Sequence, residues 1–166
     1  MRAGTFGAML AAATMLAGPA AAQSAGIPVG TVVAPMTIKD LDGRPVDLGT
    51  VIGKRPVLLE FWATWCGNCE ELMPAVREAQ RQFGKEVEFL GVNVTVNQTP
   101  ARVRRYLEEH KPPFRTLYDS EGVGARAFKV PATAYVVVLD RTGKVAYTGL
   151  GPDQDLVAVL RKVAGS

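Results

Sequence analysis

The chain has 166 residues, a length that suits one domain. Its net charge of +3 comes with no basic run and no basic stripe interleaved with aromatics, which argues against a nucleic-acid partner. Its two cysteines are too few for a secreted disulfide scaffold, and they close too small a loop to gain much stability from closure.

Residues 1–22 have the pattern of a secretory signal peptide. Arg2 supplies a minimal positive region, and residues 6–17 are small and apolar, too short to span a bilayer comfortably. Ala20-Ala21-Ala22 offers a cleavage site before Gln23. An uncleaved anchor and an Ala-rich tail are the alternatives. No cysteine lies near the site, so a lipoprotein is not expected. Export would place the rest of the chain in the periplasm or another oxidising compartment.

Residues 23–35, rich in Gly, Pro and Ala, are expected to be a loosely ordered linker, and residues 36–166 the folded domain. Residues 36–48 read as a hairpin turning at Asp42-Gly43. Residues 57–62 form a run of bulky apolar residues broken by one acid, Glu60, which predicts a strand buried on both faces. A helix over 70–83 follows, with Leu72, Val76, Ala79 and Phe83 on one side and a kink at Pro74. Residues 87–94 predict a second buried strand. Thr99-Pro100 opens a helix as cap and first residue, and that helix ends before Pro112. A short strand over 114–118 and a short helix over 122–128 come next. A β-branched strand over 134–139 returns through a turn at 140–143 into an antiparallel strand over 144–148. Pro152 opens the final helix. This order implies an α/β fold with a mixed sheet between helices.

Between the first buried strand and its helix lies Cys66-Gly67-Asn68-Cys69, a spacing that points to redox chemistry. The second cysteine is about one helical turn from the first, within reach of a disulfide. The first sits at the helix N-terminus, where unpaired N–H groups and the helix dipole favour a thiolate. Cys66 is therefore expected to be the exposed nucleophile and Cys69 the buried resolving thiol. Glu60 is the candidate proton acceptor for Cys69, because burial raises a carboxyl pKa towards a useful range. The bland alternative puts Glu60 at a solvent-facing sheet edge or beside a buried Lys. A zinc site would need more ligands than two cysteines and one histidine readily supply.

The stretch Phe61-Trp62-Ala63-x-Trp65-Cys66-Gly67-x-Cys69, with Pro74 and Val130-Pro131-Ala132-Thr133 downstream, resembles thioredoxin. The leader, the extra hairpin and an insertion over 95–119 are more similar to exported TlpA/ResA-type thiol-disulfide oxidoreductases. The resemblance implies a thioredoxin fold with an N-terminal β-hairpin and a central insertion. It implies catalytic roles for Cys66, Cys69, Glu60 and Pro131, with Pro131 in a cis peptide bond. Trp65, Gly67, Asn68 and Val130 would contact substrate, the backbone of Val130 pairing with an extended segment. Two departures stand out. Asn68 occupies the place of thioredoxin's proline, and Leu72 stands where many TlpA/ResA-type proteins carry a glutamate.

The expected activity is protein-disulfide reduction with no dissociable cofactor and no metal, and the resemblance implies cytochrome c maturation as one process it could serve. The expected partners are proteins with reactive disulfides and a membrane thiol-disulfide electron donor, and the expected state is a monomer. A protein-thiol oxidase on the same fold remains open. So does a non-catalytic chaperone or metal-delivery module.

Overall fold

A computed structural model of the chain describes Met1 and residues 26–165. The leader and the expected cut before Gln23 lie outside the described residues. The chain order is β1 (Thr37–Lys39), β2 (Pro45–Asp47), β3 (Val57–Trp62), α1 (Gly67–Phe83), β4 (Glu88–Asn93), α2 (Pro100–His110), β5 (Arg115–Tyr118), α3 (Val123–Ala127), β6 (Tyr135–Leu139), β7 (Val145–Leu150) and α4 (Leu156–Ala164). The strands β1 and β2 form the expected antiparallel hairpin. The other five form one sheet in the order β5-β4-β3-β6-β7, parallel on one side of β3 and antiparallel on the other.

All six residues of β3 are buried, as are all five of β6, because both strands are interior to the sheet and covered on both faces. Alternation along β3 sorts the core into two layers. Val57, Leu59 and Phe61 pack with the hairpin, the end of α3 and the N-terminal segment. Leu58 packs under α1 and α4, and Trp62 meets Val103 and Tyr106 of α2. Helices α1, α2 and α4 thus share one face of the sheet.

Residues 26–35 are not the loose linker expected from their composition. Ile27 and Val33 are buried in the core. The N–H of Ile27 donates to Phe128 O at 3.1 Å, that of Gly30 to Val145 O at 2.8 Å and that of Val33 to Gly143 O at 2.9 Å. Burial of two aliphatic side chains and a hydrogen-bonded backbone offset the entropy that Gly and Pro suggested would keep the segment free. The final helix also begins later than expected. Asp155, not Pro152, opens it, because the Asp155 carboxylate accepts from Ala158 N at 2.9 Å and caps the first turn. Helix α1 runs through Pro74 as one element, and Thr99 and Pro100 cap and open α2 as expected.

One glycine matters to the site. Gly91 on β4 lies opposite Glu60 of β3 and Thr116 of β5. A Cβ at Gly91 would fall under 3.0 Å from three atoms of the Phe114 ring. That ring packs tilted against Trp62 with centroids 5.8 Å apart, so it must leave this contact to admit a methyl group. A Gly91→Ala protein is therefore expected to lose roughly 2–3 kcal/mol of stability. A urea unfolding midpoint equal to that of the wild type would show that the ring moves aside freely.

Candidate functional site

The buried strand β3 ends at Trp62, and the chain turns through Ala63, Thr64 and Trp65 into α1. Cys66 is the N-cap of α1, with extended backbone at φ −88°. Its Sγ accepts the N–H of Cys69 at 3.1 Å. Cys66 and Cys69 are joined in a disulfide with their Cα atoms 5.3 Å apart. The spacing of the pair fixes this reach, and the N-cap geometry puts the first sulfur at the positive end of a 17-residue helix. When the disulfide opens, the same N–H and dipole hold Cys66 towards the thiolate.

Cys66 is not the exposed thiol that was expected. It is 4% exposed, against 1% for Cys69. The difference has the expected sign, but bonding to Cys69 and folding back onto the helix N-terminus leave little of the sulfur open. What the site does present to solvent is its frame. Trp65 is 50% exposed, and Gly67 and Asn68 are exposed beside it. Trp62, by contrast, is core, at 1% exposed.

Glu60 is fully buried in the middle of the sheet, on the same face of β3 as Leu58 and Trp62. Neither carboxyl oxygen has a hydrogen-bond partner. Burial alone pushes its carboxyl up to about 8. The edge position and the buried Lys partner, the two bland alternatives, are both absent. Trp62 and Cys69 belong to one buried cluster with Tyr106, so Glu60 sits on the sheet face beneath that cluster.

Val130 and Pro131 approach from the segment after α3. No cis peptide bond occurs among the described residues, so the bond before Pro131 is trans, contrary to expectation. A trans bond is the lower-energy form even before proline. Here Lys129 at φ +49° and Ala134 at φ +56° redirect the chain on either side of the proline. The N–H of Val130 is also not free for a partner strand. It donates to Ala125 O at 2.9 Å, which leaves the carbonyl as the group that a substrate backbone could meet.

Trp65, Val94, Val96, Val130, Ala132 and Thr133 line an apolar groove of about 260 Å³, which Trp65 joins to the loop that carries the cysteines. Val94 and Val96 come from the loop between β4 and α2, where the sequence suggested only the end of a strand at Val94 and the start of an insertion at Thr95. Nothing in the local pattern Asn-Val-Thr-Val-Asn-Gln announces a role, since its contacts are with residues some thirty positions away. Among the described residues, no three His, Cys, Asp or Glu side chains converge as a metal site.

Comparison with known proteins agrees with this geometry. Residues 22–163 match the family model Redoxin. A thioredoxin-like protein, YneN, of Bacillus subtilis is 30% identical over 124 residues, covering 74% of this chain and 72% of its own. The thiol-disulfide oxidoreductase ResA of Geobacillus thermodenitrificans is 29% identical over 144 residues, covering 85% of this chain and 81% of its own. The crystal structure of a thioredoxin-family thiol:disulfide interchange protein from Chlorobium tepidum superposes with a TM-score of 0.69 at 21% identity, covering 84% of this chain and 99% of that one. The chain belongs to the redoxin family, as a thiol-disulfide oxidoreductase of the thioredoxin/ResA type built around the close pair Cys66 and Cys69.

Proposed function

We propose that the protein is an exported reductase of protein disulfides. The observation that carries this reading is the N-cap position of Cys66, its sulfur held by the Cys69 N–H, directly after Trp65, which lines an apolar groove. In the reduced protein the Cys66 thiolate attacks one sulfur of a substrate disulfide. That S–S bond breaks, a mixed disulfide forms, and the other substrate sulfur leaves as a thiolate that takes a proton from solvent. Glu60, in its ionised fraction, then accepts the Cys69 proton, and the Cys69 thiolate attacks Sγ of Cys66. The second substrate thiol is released, and the protein is left as the Cys66–Cys69 disulfide.

The substrate is reduced by two electrons and the protein oxidised by two. A donor dithiol must restore the pair, and a membrane thiol-disulfide partner is the proposed source. Trp65, Gly67, Asn68 and the carbonyl of Val130 are the proposed contacts to the substrate backbone, with the groove taking an apolar side chain next to the reactive cysteine. Pro131, between the groove residues Val130 and Ala132, is the further residue proposed to act in exchange. Apocytochrome c cysteines are one substrate class for such a protein. The secretory pattern of residues 1–22 supports export.

The test is the reduction potential of the pair in protein beginning at Gln23, measured against glutathione or dithiothreitol buffers, alongside insulin reduction. A potential near that of thioredoxin, about −270 mV, together with insulin turnover, is the expected result. A value near that of DsbA, about −120 mV, would make the protein an oxidant and reverse the proposed direction.

A further inference from the structure

The loop between β4 and α2 is held in a conformation it would not choose alone. Thr95 has φ +61° and Asn97 φ +53°, both in the left-handed region. For a β-branched threonine this is a true outlier, and such residues persist only where their surroundings impose them. Thr95 itself is held by its N–H to Asn93 Oδ1 at 3.1 Å and its hydroxyl to Asp119 O at 3.4 Å, and the rest of the turn is tied by hydrogen bonds to the loop that carries the cysteines. The indole N–H of Trp65 donates to Val96 O at 2.8 Å. The backbone N–H of Thr64, two residues before Cys66, donates to Oε1 of Gln98 at 3.1 Å. The other end of the same side chain donates from Nε2 to Asn97 O at 2.9 Å. One amide thus ties the active-site backbone to the strained turn. The Gln98 backbone is itself anchored, its carbonyl accepting from the Tyr118 hydroxyl at 3.3 Å.

The result of this tie is a wall. Trp65 and Val96 both project from the surface, 50% and 58% exposed, and both line the apolar groove. Neither would hold its place through burial. We propose that Gln98 is a positioning residue for disulfide exchange, fixing Trp65 and Val96 as one rigid wall of the substrate groove. The inference rests on the proposed exchange with protein disulfides. It concerns recognition of the segment around the substrate cysteine, and the intrinsic reactivity of Cys66 is set elsewhere.

The test uses Gln98→Met, which keeps the side chain's length and removes both polar ends, and Gln98→Glu, which keeps an oxygen for Thr64 N–H. Kinetics would be measured with a peptide disulfide carrying valine beside its cysteine, and with a small aromatic disulfide that does not fill the groove. The 1H–15N indole signals of the two tryptophans would be followed in parallel. Gln98→Met is expected to raise KM for the peptide about five- to tenfold, through loss of the hydrogen bonds to Thr64 N–H and Asn97 O together. Its kcat and its reaction with the small disulfide should stay within about twofold, and the Trp65 indole signal should move while that of buried Trp62 does not. Gln98→Glu should recover most of the KM. An unchanged KM, or an unmoved Trp65 indole signal, would overturn the proposal. If the wild type reduces no peptide disulfide at all, the functional reading falls, and the indole signal alone still decides whether Gln98 holds the wall.

Discussion

A Cys66→Ser protein is expected to lose disulfide-reductase turnover by on the order of a thousandfold or more, because the attacking sulfur is gone and nothing replaces it. Cys69→Ser is expected to fail differently. It should still attack, and then stall as a covalent mixed disulfide visible on a non-reducing gel and by mass. The geometry supports these proposed roles in that order. Cys66 caps α1 and accepts the Cys69 N–H, whereas Cys69 lies inside the first turn at 1% exposed. If Cys66→Ser accumulated the adduct and Cys69→Ser did not, the two roles would be reversed.

The second large effect concerns Glu60. Its carboxyl, ordinarily near 4.5, is pushed up to about 8 by burial, with no cation and no hydrogen bond to oppose the shift. Below pH 4.5 both the folded and unfolded chains hold the proton, and the fold has its full stability from this group. As pH rises towards 8 the unfolded chain releases the proton while the folded one retains it, so stability falls. Above about 8 the folded carboxyl also ionises, and the slope vanishes. A shift of this size corresponds to up to roughly 4–5 kcal/mol lost across the window. Urea unfolding of the oxidised protein from pH 4 to 9 should show the decline, and Glu60→Gln should remove most of it. An equal slope in the two proteins would mean that solvent reaches the carboxyl. The same variant tests the proposed proton transfer, since exchange rates unchanged from pH 6 to 9 would exclude Glu60 from it.

What could be read from the sequence is what the chain determines locally. The strand–Cys-x-x-Cys–helix unit is contiguous, and its apolar run, spacing and helix stripe all lie within residues 57–83. The Thr99-Pro100 cap of α2 is equally local. The parts that were missed depend on contacts across the fold. Gly/Pro content suggested freedom for residues 26–35, but Ile27 and Val33 find apolar sockets that only the assembled sheet provides. The burial of Cys66 follows from its bond to Cys69 and its N-cap fold-back. The trans bond at Pro131 lies between left-handed residues at 129 and 134, a backbone path that no side chain there advertises. Gln98 is invisible for the same reason, because its partner Thr64 lies across the site.

The docked N-terminal segment has a consequence for colloidal behaviour. A sheet ordered β5-β4-β3-β6-β7 ends at β7, whose outer backbone groups would be open to pairing with another molecule. Thr31 O receives the N–H of Val145 at 2.8 Å, and Val32 bridges Lys144 antiparallel, so residues 30–33 occupy the start of that edge as a strand fragment would. Under the proposed export, the protein must stay dispersed where no cytoplasmic chaperone can rescue it. In this fold, part of that resistance to aggregation resides in ten residues whose composition suggested only a spacer.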